Sequence, residues 1–397
     1  MRLPRSVWVL STISLLSSMG VGIVVPSLPS LGVLYGVGIF AMSVAISGFA
    51  AARLFANLAL TSLLRRTRLR SVLVVGLVFH GISTIVAGFA GDYVTFIVFR
   101  SLSGLGSAAY TASAMALMIA IAPPLLRGRA MGLQSTMLGI GTVAGPAVGG
   151  SVVVLNPQLP LIVYGAALLA GSLVALILLR DLRSVRTEEP VQVQHGDDTP
   201  PYSLPRAVRD CLRDPLFRTV VICQIVLGAV YYGVRSAIIP AHLEALGLST
   251  AFVGGALTVA AFSQVLSAVL AGLIGDRVGR FPLLIVSGIA GVVSFVLFGL
   301  PGVAFVMGAA VALGIAGGLQ HSAVGALLAD SPSGRSAVAV GIYWVTFDLS
   351  LIVGPTVGGL VAEFFGAAWV LAGCVVVIAL ALLNTIIVSR NLRNPPG

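Results

Sequence analysis

Apolar residues run through this chain in blocks of about twenty, the length an α-helix needs to cross the hydrocarbon core of a bilayer, and short polar breaks separate the blocks. Twelve runs can be marked, at roughly 6–28, 36–62, 70–90, 92–120, 128–152, 159–180, 217–240, 249–274, 281–300, 302–329, 336–360 and 366–388. The pattern predicts an all-α integral membrane protein of twelve spans. Its longest polar break, Asp181 to Pro215, divides them six and six. That break sets three regions: residues 1–182, a linker at 183–215, and residues 216–397. The middle of the linker, EEPVQVQHGDDTPPYSLP, has the polar, proline-containing composition of a disordered segment. Beyond it, Pro205 to Asp214 reads either as a plain polar loop or as a short amphipathic helix. The helix would turn Ala207, Val208, Cys211 and Leu212 to lipid and Arg206, Arg209 and Arg213 to headgroups.

The two halves repeat with an offset near 210 residues. Gly341, Gly354, Pro355, Gly358 and Gly359 in the eleventh span stand where the fifth has Gly132, Gly145, Pro146, Gly149 and Gly150, and Ser350 replaces Gly141. TSLLRRTRLRSVL, after the second span, aligns with GLIGDRVGRFPLL after the eighth. Internal duplication of this kind places a substrate site near the bilayer midplane between the repeats, served by rocking of one half against the other.

Composition agrees: 58% of residues are hydrophobic and 9% charged, against about 25% charged in soluble domains. The net charge of +10 invites a nucleic-acid reading, which the positions of the charges reject. All 23 basic residues are arginine, and with cytoplasmic termini 20 of them fall in cytoplasmic segments and none in the external loops. This is the positive-inside distribution. Residues 1–20 resemble a signal peptide but continue as an apolar run to Pro26 without a small-x-small cleavage site, so they are taken as an uncleaved first span. Cys211, Cys223 and Cys374 match neither a disulfide framework nor a metal spacing. A phosphate-binding loop needs a lysine, and the chain has none; no cofactor is expected, and ATP is not the energy source. An intramembrane enzyme would need clustered acid, base or metal ligands, whereas His80 and His321 lie in different halves.

Gly132 to Gly150, GLQSTMLGIGTVAGPAVGG, is long enough to span a bilayer yet rich in residues that weaken a helix. Gly141, Gly145 and Gly149 recur every four residues and share one face, which lets another helix approach closely. Pro146 cannot donate to the carbonyl of Thr142. The pattern G-x8-G-x3-G-P-x2-G-G, filled at Gly132, Gly141, Gly145, Pro146, Gly149 and Gly150, resembles the antiporter motif on the fifth helix of drug/proton antiporters of the major facilitator superfamily. Gly272, Asp276, Arg277, Gly279 and Arg280 are similar to that superfamily's cytoplasmic loop signature, G-x3-D-R-x-G-R. Pseudo-symmetry predicts a cytoplasmic gate in which Asp276 contacts Arg127 or Arg129. The first-half copy departs from the signature, with Thr61, Arg65 and Arg68 at its fixed positions. Asp330 is the acidic partner expected for Arg65. Arg100, Gly104 and Gly106 resemble the superfamily's R-x3-G-x-G signature, associated with proton coupling; the second half has Ala310 in place of Arg100.

Charges inside spans are costly and mark function. Of thirteen acidic residues, Asp348 alone lies mid-span. Burial and a nearby arginine push a carboxyl in opposite directions, which suits a group that loads and releases a proton. The resemblance makes the second and eleventh helices neighbours across the halves, so Arg53 is its expected partner, at a depth of about 14 Å against about 18 Å for Asp348 at 1.5 Å per residue; a static ion pair is the other reading. On the helices that the resemblance makes cavity-lining, Tyr110, Gln224, Tyr231, Tyr232, Arg235, Gln320 and His321 are candidate cavity residues. Tyrosine and glutamine inside a bundle more often hydrogen-bond between helices, which is their other reading, and Arg235 sits close enough to the span end to reach the interface. His80 reads as a helix-packing residue.

The resemblance covers the whole chain. It implies two pseudo-symmetric six-helix bundles, the first and fourth helices of each lining the cavity. It also implies a proton-coupled exporter in the inner membrane of a bacterium, working as a monomer, with a small-molecule substrate, protons and membrane lipids as partners. Three intramembrane arginines against one aspartate favour neutral or anionic amphiphiles. A carrier or flippase for a lipid, glycolipid or anionic metabolite is the alternative on the same scaffold.

Overall fold

The computed structural model describes residues 3–182 and 204–393. Among these, the first half forms α1 (Arg5–Tyr35), α2 (Ile39–Arg66), α3 (Leu69–Gly88), α4 (Tyr93–Ile121), α5 (Arg127–Val152) and α6 (Leu159–Leu178). The second forms α7 (Pro215–Ala245), α8 (Thr250–Val278), α9 (Arg280–Phe298), α10 (Val303–Asp330), α11 (Ala337–Phe365) and α12 (Ala367–Arg393). Each expected span is a helix. Eleven of the helices are long and apolar enough to cross a membrane. The other, α5, has sufficient length at 26 residues, but its glycines dilute its hydropathy.

Local sequence explains the breaks. In α1 the α-helix stops at Val24 and a 3-10 turn, Val25–Ser27, carries Pro26 at its start before Leu28–Tyr35 resumes; proline removes the N–H that would continue the ladder. Asp92 caps α4 by accepting from the Thr95 amide at 2.8 Å, and these hydrogen bonds hold its carboxyl below the usual range. Gly279 turns the chain between α8 and α9 at φ 93°, a conformation open chiefly to glycine.

The helices fall into two compact units. Unit 1 holds α1–α6 together with Leu243–Gly255, the end of α7 and the start of α8. There α1 packs on α5 and α6, α3 on α4 and α6, and α2 on α4, around Leu10, Ile13, Leu73, Leu77, Phe96, Leu117 and Leu168. In unit 2, α9 packs on α10 and α12, and α7 on α10 and α11, with Phe217, Tyr231, Phe295 and Phe298 fully buried. Both cores are apolar side chains interleaved with small residues, as expected where van der Waals packing rather than water exclusion holds helices together.

The linker segment does form a helix, Leu204–Arg213, with Arg206, Arg209 and Arg213 exposed. Its expected orientation needs one correction. Cys211 faces protein rather than lipid, buried with its sulfur 3.8 Å from the Ser336 hydroxyl. The reason is Asp214, which caps α7 through the Leu216 amide at 2.9 Å and accepts from the Ser333 amide at 3.2 Å, fastening the short helix to the turn before α11. The side chain of Ala207 lies outside the described residues. Cys211, Cys223 and Cys374 are free and buried.

Candidate functional site

Helix α5 meets α1 backbone to backbone, and the regular glycines are the reason. A methyl group on Gly145 would stand 2.5 Å from the Met19 carbonyl oxygen and 2.9 Å from Gly22 Cα. One on Gly141 or Gly149 would overlap the carbonyl oxygen of Leu15 or Ile23. Pro146 fills the space opposite Gly22, whose added methyl would lie 2.5 Å from the proline ring. Gly150 faces α8 instead, 2.9 Å from Gly254 Cα by the same measure. Among the described residues nothing lies within 4 Å of a methyl on Gly132, so the motif joins five packed positions to one unpacked one.

Unit 2 repeats the arrangement. A methyl on Gly233 of α7 would lie 2.8 Å from Gly354 Cα and 2.9 Å from the Pro355 ring, and one on Gly228 would lie 2.7 Å from the Ser350 hydroxyl. Gly341, like Gly132, has nothing within 4 Å. The halves differ in the partner helix: α7 opens into a π-type turn over Ala229–Val234. Such widened turns gather at functional sites. This one sends two consecutive tyrosines to different neighbours.

Tyr231 goes to α9, where its hydroxyl donates to the Ser287 carbonyl at 3.2 Å. Tyr232 donates to the Gly317 carbonyl of α10 at 3.3 Å and accepts from the Gln264 amide at 3.2 Å. The other end of Gln264 accepts from Arg235 Nη1 at 2.5 Å, and Arg235 Nη2 donates to the Leu257 carbonyl at 3.4 Å. Arg235 is thus held inward by α8 rather than reaching for the membrane surface. Sequence reasoning passes over Gln264, which nonetheless leaves a signal. It stands one repeat after Arg53, and α2 and α8 correspond closely: a methyl on Gly104 would lie 3.2 Å from the Arg53 nitrogen, and one on Gly314 would lie 2.9 Å from the Gln264 nitrogen. Replacing Gln264 by leucine should lower stability by about 1–3 kcal/mol, because Arg235 and Tyr232 each lose a partner. Thermal unfolding in detergent checks this; a melting temperature equal to wild type would refute the network.

Other expected cavity residues prove to be interhelical. Gln320 Nε2 donates to Gln224 Oε1 at 3.3 Å, both residues have no exposed surface, and Tyr231 is 1% exposed. These three offer a substrate no surface in this structure. They are corrected to core positions, since a buried amide or hydroxyl costs less when paired across helices. Tyr110 is also buried and donates to Ser14 of α1 at 2.9 Å. His321 is exposed. Asp348 is buried, 2% exposed, and an aromatic run precedes it on α11, with Tyr343 against Trp344 (5.6 Å), Trp344 against Phe347 (6.1 Å), and Phe347 against Tyr232 of α7 (5.7 Å). Trp344 is half exposed.

In unit 1 the central charge is Arg100, 5% exposed. Its Nη1 donates to the Ser103 hydroxyl at 3.1 Å, and its guanidinium lies 4.3 Å from the Phe49 ring centroid of α2, a cation–π contact. His80 of α3 and Tyr164 of α6 complete the cluster, with ring centroids 5.5 Å apart. Arg53 lies half-buried one turn beyond Phe49.

Relatives align along nearly the full length. Multidrug resistance protein 2 of Bacillus subtilis (strain 168) is 20% identical over 368 residues, covering 92% of this chain and 90% of its own. An MFS-type transporter of Methanocaldococcus jannaschii is 21% identical over 375 residues, covering 92% and 94%. The sequence pattern of the Major Facilitator Superfamily matches residues 10–235 and 220–397. The chain belongs to the major facilitator superfamily. Solved structures share this fold. A bacterial homolog to the human lysosomal transporter Spinster, inward-facing and occupied, has a TM-score of 0.76 at 17% identity, covering 97% of this chain and 96% of its own. The nucleoside transporter NupG has a TM-score of 0.78 at 14% identity, covering 96% and 99%.

As a major facilitator protein the chain is a multi-pass membrane transporter, and its loop signature shows where the cytoplasmic charges go. Asp276 Oδ1 pairs with Arg280 Nη2 at 2.8 Å, four residues on, and Arg280 Nε donates to Asp330 Oδ2 at 3.1 Å. Arg280 therefore joins α8, α9 and α10 within unit 2. Asp276, expected against Arg127 or Arg129, has its salt bridge with a residue of its own signature, because the tight turn at Gly279 swings Arg280 back to it. Asp330, expected for Arg65, has the same arginine, and the Arg65 side chain lies outside the described residues. Arg127, Arg129 and Arg277 are exposed, and Gly272 faces open space.

Proposed function

We propose that this transporter is a proton-coupled exporter of small amphiphilic compounds, neutral or anionic, acting by alternating access in a bacterial inner membrane with both termini cytoplasmic. The observation that carries the reading is Asp348, a buried carboxylate in the middle of α11 beside the aromatic run Tyr343, Trp344 and Phe347. A carboxyl in that setting can exchange a proton with its surroundings as they change, and the half-exposed Trp344 gives an amphiphile an apolar ring to lie against. Asp348, Arg100 and Arg53 are the proposed coupling residues. The names of relatives support export: besides multidrug resistance protein 2, multidrug resistance protein 1 of Bacillus subtilis is 22% identical over 173 residues. The glycines of α5 and α11 supply a tightly packed helix with an internal proline in each unit. The substrate is the partner; no cofactor is proposed, and a monomer suffices.

The test is transport in proteoliposomes holding an acid-inside pH gradient, with three fluorescent amphiphiles: one neutral, one anionic, one a lipophilic dication. Uptake of the neutral or anionic probe, abolished by a protonophore, is expected. Saturable binding of the dication with proton release from Asp348 would overturn the substrate class. Movement of a lipid probe between leaflets, with no response to the soluble probes, would replace export by lipid carriage.

A further inference from the structure

The exporter reading leaves His80 without a role. This residue is 1% exposed on α3, and among the described residues neither ring nitrogen has a hydrogen-bond partner. A buried imidazole ordinarily fixes its tautomer by bonding a carbonyl, a carboxylate or water. Here the ring is held by carbon instead, with Phe49 at 6.0 Å between centroids and Tyr164 edge-on at 5.5 Å. The same Phe49 ring carries the Arg100 guanidinium.

Packing alone does not require an imidazole at this place. One repeat later the position is Gly291, and the Tyr231 hydroxyl fills the space that a side chain there would need. Arg100 likewise becomes Ala310. Histidine and arginine are present together in unit 1 and absent together from the equivalent positions in unit 2. The groups around His80 are few: α4 brings Arg100 and, against Gly76 one turn away, Tyr110; α6 brings Tyr164; α2 brings Phe49, with Arg53 one turn further along. Helices α1–α6 contain no aspartate or glutamate.

We propose that His80 is a proton-binding site of unit 1, separate from Asp348, and that its protonation drives Arg100 off the Phe49 ring. The proposal rests on the exporter reading for its use in transport, but not for its test. A proton arriving from water makes the imidazole a second cation beside a guanidinium that has no carboxylate in its own six helices. Repulsion between two such charges is strong where the dielectric is low. The contacts that give way are the ring contact with Phe49 and the single hydrogen bond to Ser103. The ring contact ties α4 to α2, while the Ser103 bond, three residues along α4, fixes the guanidinium's direction, so a proton on α3 is felt as a change in how α2 and α4 pack. Linkage makes the effect reciprocal: whatever draws Arg100 away from Phe49 makes His80 easier to protonate.

The experiment is nitrogen-15 NMR of the full chain in detergent, with labelled histidine and arginine, over the pH range in which the protein stays folded. Of the four histidines, His80 is assigned by the loss of its signals in His80→Gln. It is assigned independently as the survivor in a variant carrying His195→Gln, His242→Gln and His321→Gln. The expected result is reversible conversion of the His80 ring from neutral to doubly protonated as pH falls, with the Arg100 guanidinium signals moving in step and the His80 midpoint displaced in Arg100→Ala. A His80 ring that stays neutral throughout, or a titration that Arg100→Ala leaves unmoved, would overturn it. Because no transport is measured, a failure of Asp348 as proton carrier leaves this outcome unaffected.

Discussion

Replacing Gly149 by alanine is expected to destabilise the protein severely, while the same change at Gly132, in the same motif, should be nearly silent. At Gly149 the new methyl group would overlap the Ile23 carbonyl and stand 2.8 Å from the Ile23 carbonyl carbon and Cα. These are backbone atoms of α1 and cannot rotate aside, so relief requires the two helices to separate. Overpacking of this kind costs about 1–3 kcal/mol, and more when backbone must move. Separation would also weaken the contacts at Gly145 and Gly141 on the same face. At Gly132 nothing among the described residues lies within 4 Å, and alanine should gain slightly in helix propensity. The check is thermal unfolding of both variants in detergent, with insertion verified by expression in membranes. Equal melting temperatures for Gly149→Ala and wild type would show that α1 and α5 do not pack as described.

That contrast also measures what a sequence pattern can carry. The twelve spans were legible because one property, apolarity over about twenty residues, decides whether a segment crosses a bilayer. The shared face of Gly141, Gly145 and Gly149 was legible because helical periodicity alone fixes it. Which helix that face meets, and that Gly132 meets none, depends on tertiary packing. The same limit explains the tyrosines and glutamines. Position along a span gives depth but not which way the side chain points within the bundle. Gln224 and Gln320 turned toward each other, and Arg235 toward Gln264. The π-type turn at Ala229–Val234 has no evident local signature, since Gly233 accounts for close packing on Gly354 but not for a widened ladder. In unit 1, Arg100 stood out as a charge in an apolar run. The significance of His80 was hidden, because an imidazole without a hydrogen-bond partner is recognised only when its surroundings are known.

Converting Asp348 to asparagine is expected to abolish accumulation against a gradient while leaving exchange intact. A pH difference of one unit stores about 1.4 kcal/mol per proton, enough to accumulate a neutral substrate about tenfold for each proton exchanged. An asparagine has nearly the shape of the aspartate and cannot carry the proton. The imposed gradient should then support no accumulation, while counterflow between labelled and unlabelled substrate continues, because rocking itself does not need the carboxyl. A static role for Asp348 predicts the reverse. Removing one member of a buried ion pair leaves the other charge unmatched at a cost of about 3–5 kcal/mol, so Asp348→Asn would lower the melting temperature while the protein that remained folded still followed the pH gradient. Asp348→Glu separates the readings further: it keeps a titratable group, and so should keep some gradient-driven accumulation even if a displaced carboxyl slows turnover. Measuring the steady-state accumulation ratio, the counterflow rate and the melting temperature on the same three proteins distinguishes proton carriage from structural pairing. Full gradient-driven accumulation by Asp348→Asn would remove this residue from the coupling mechanism.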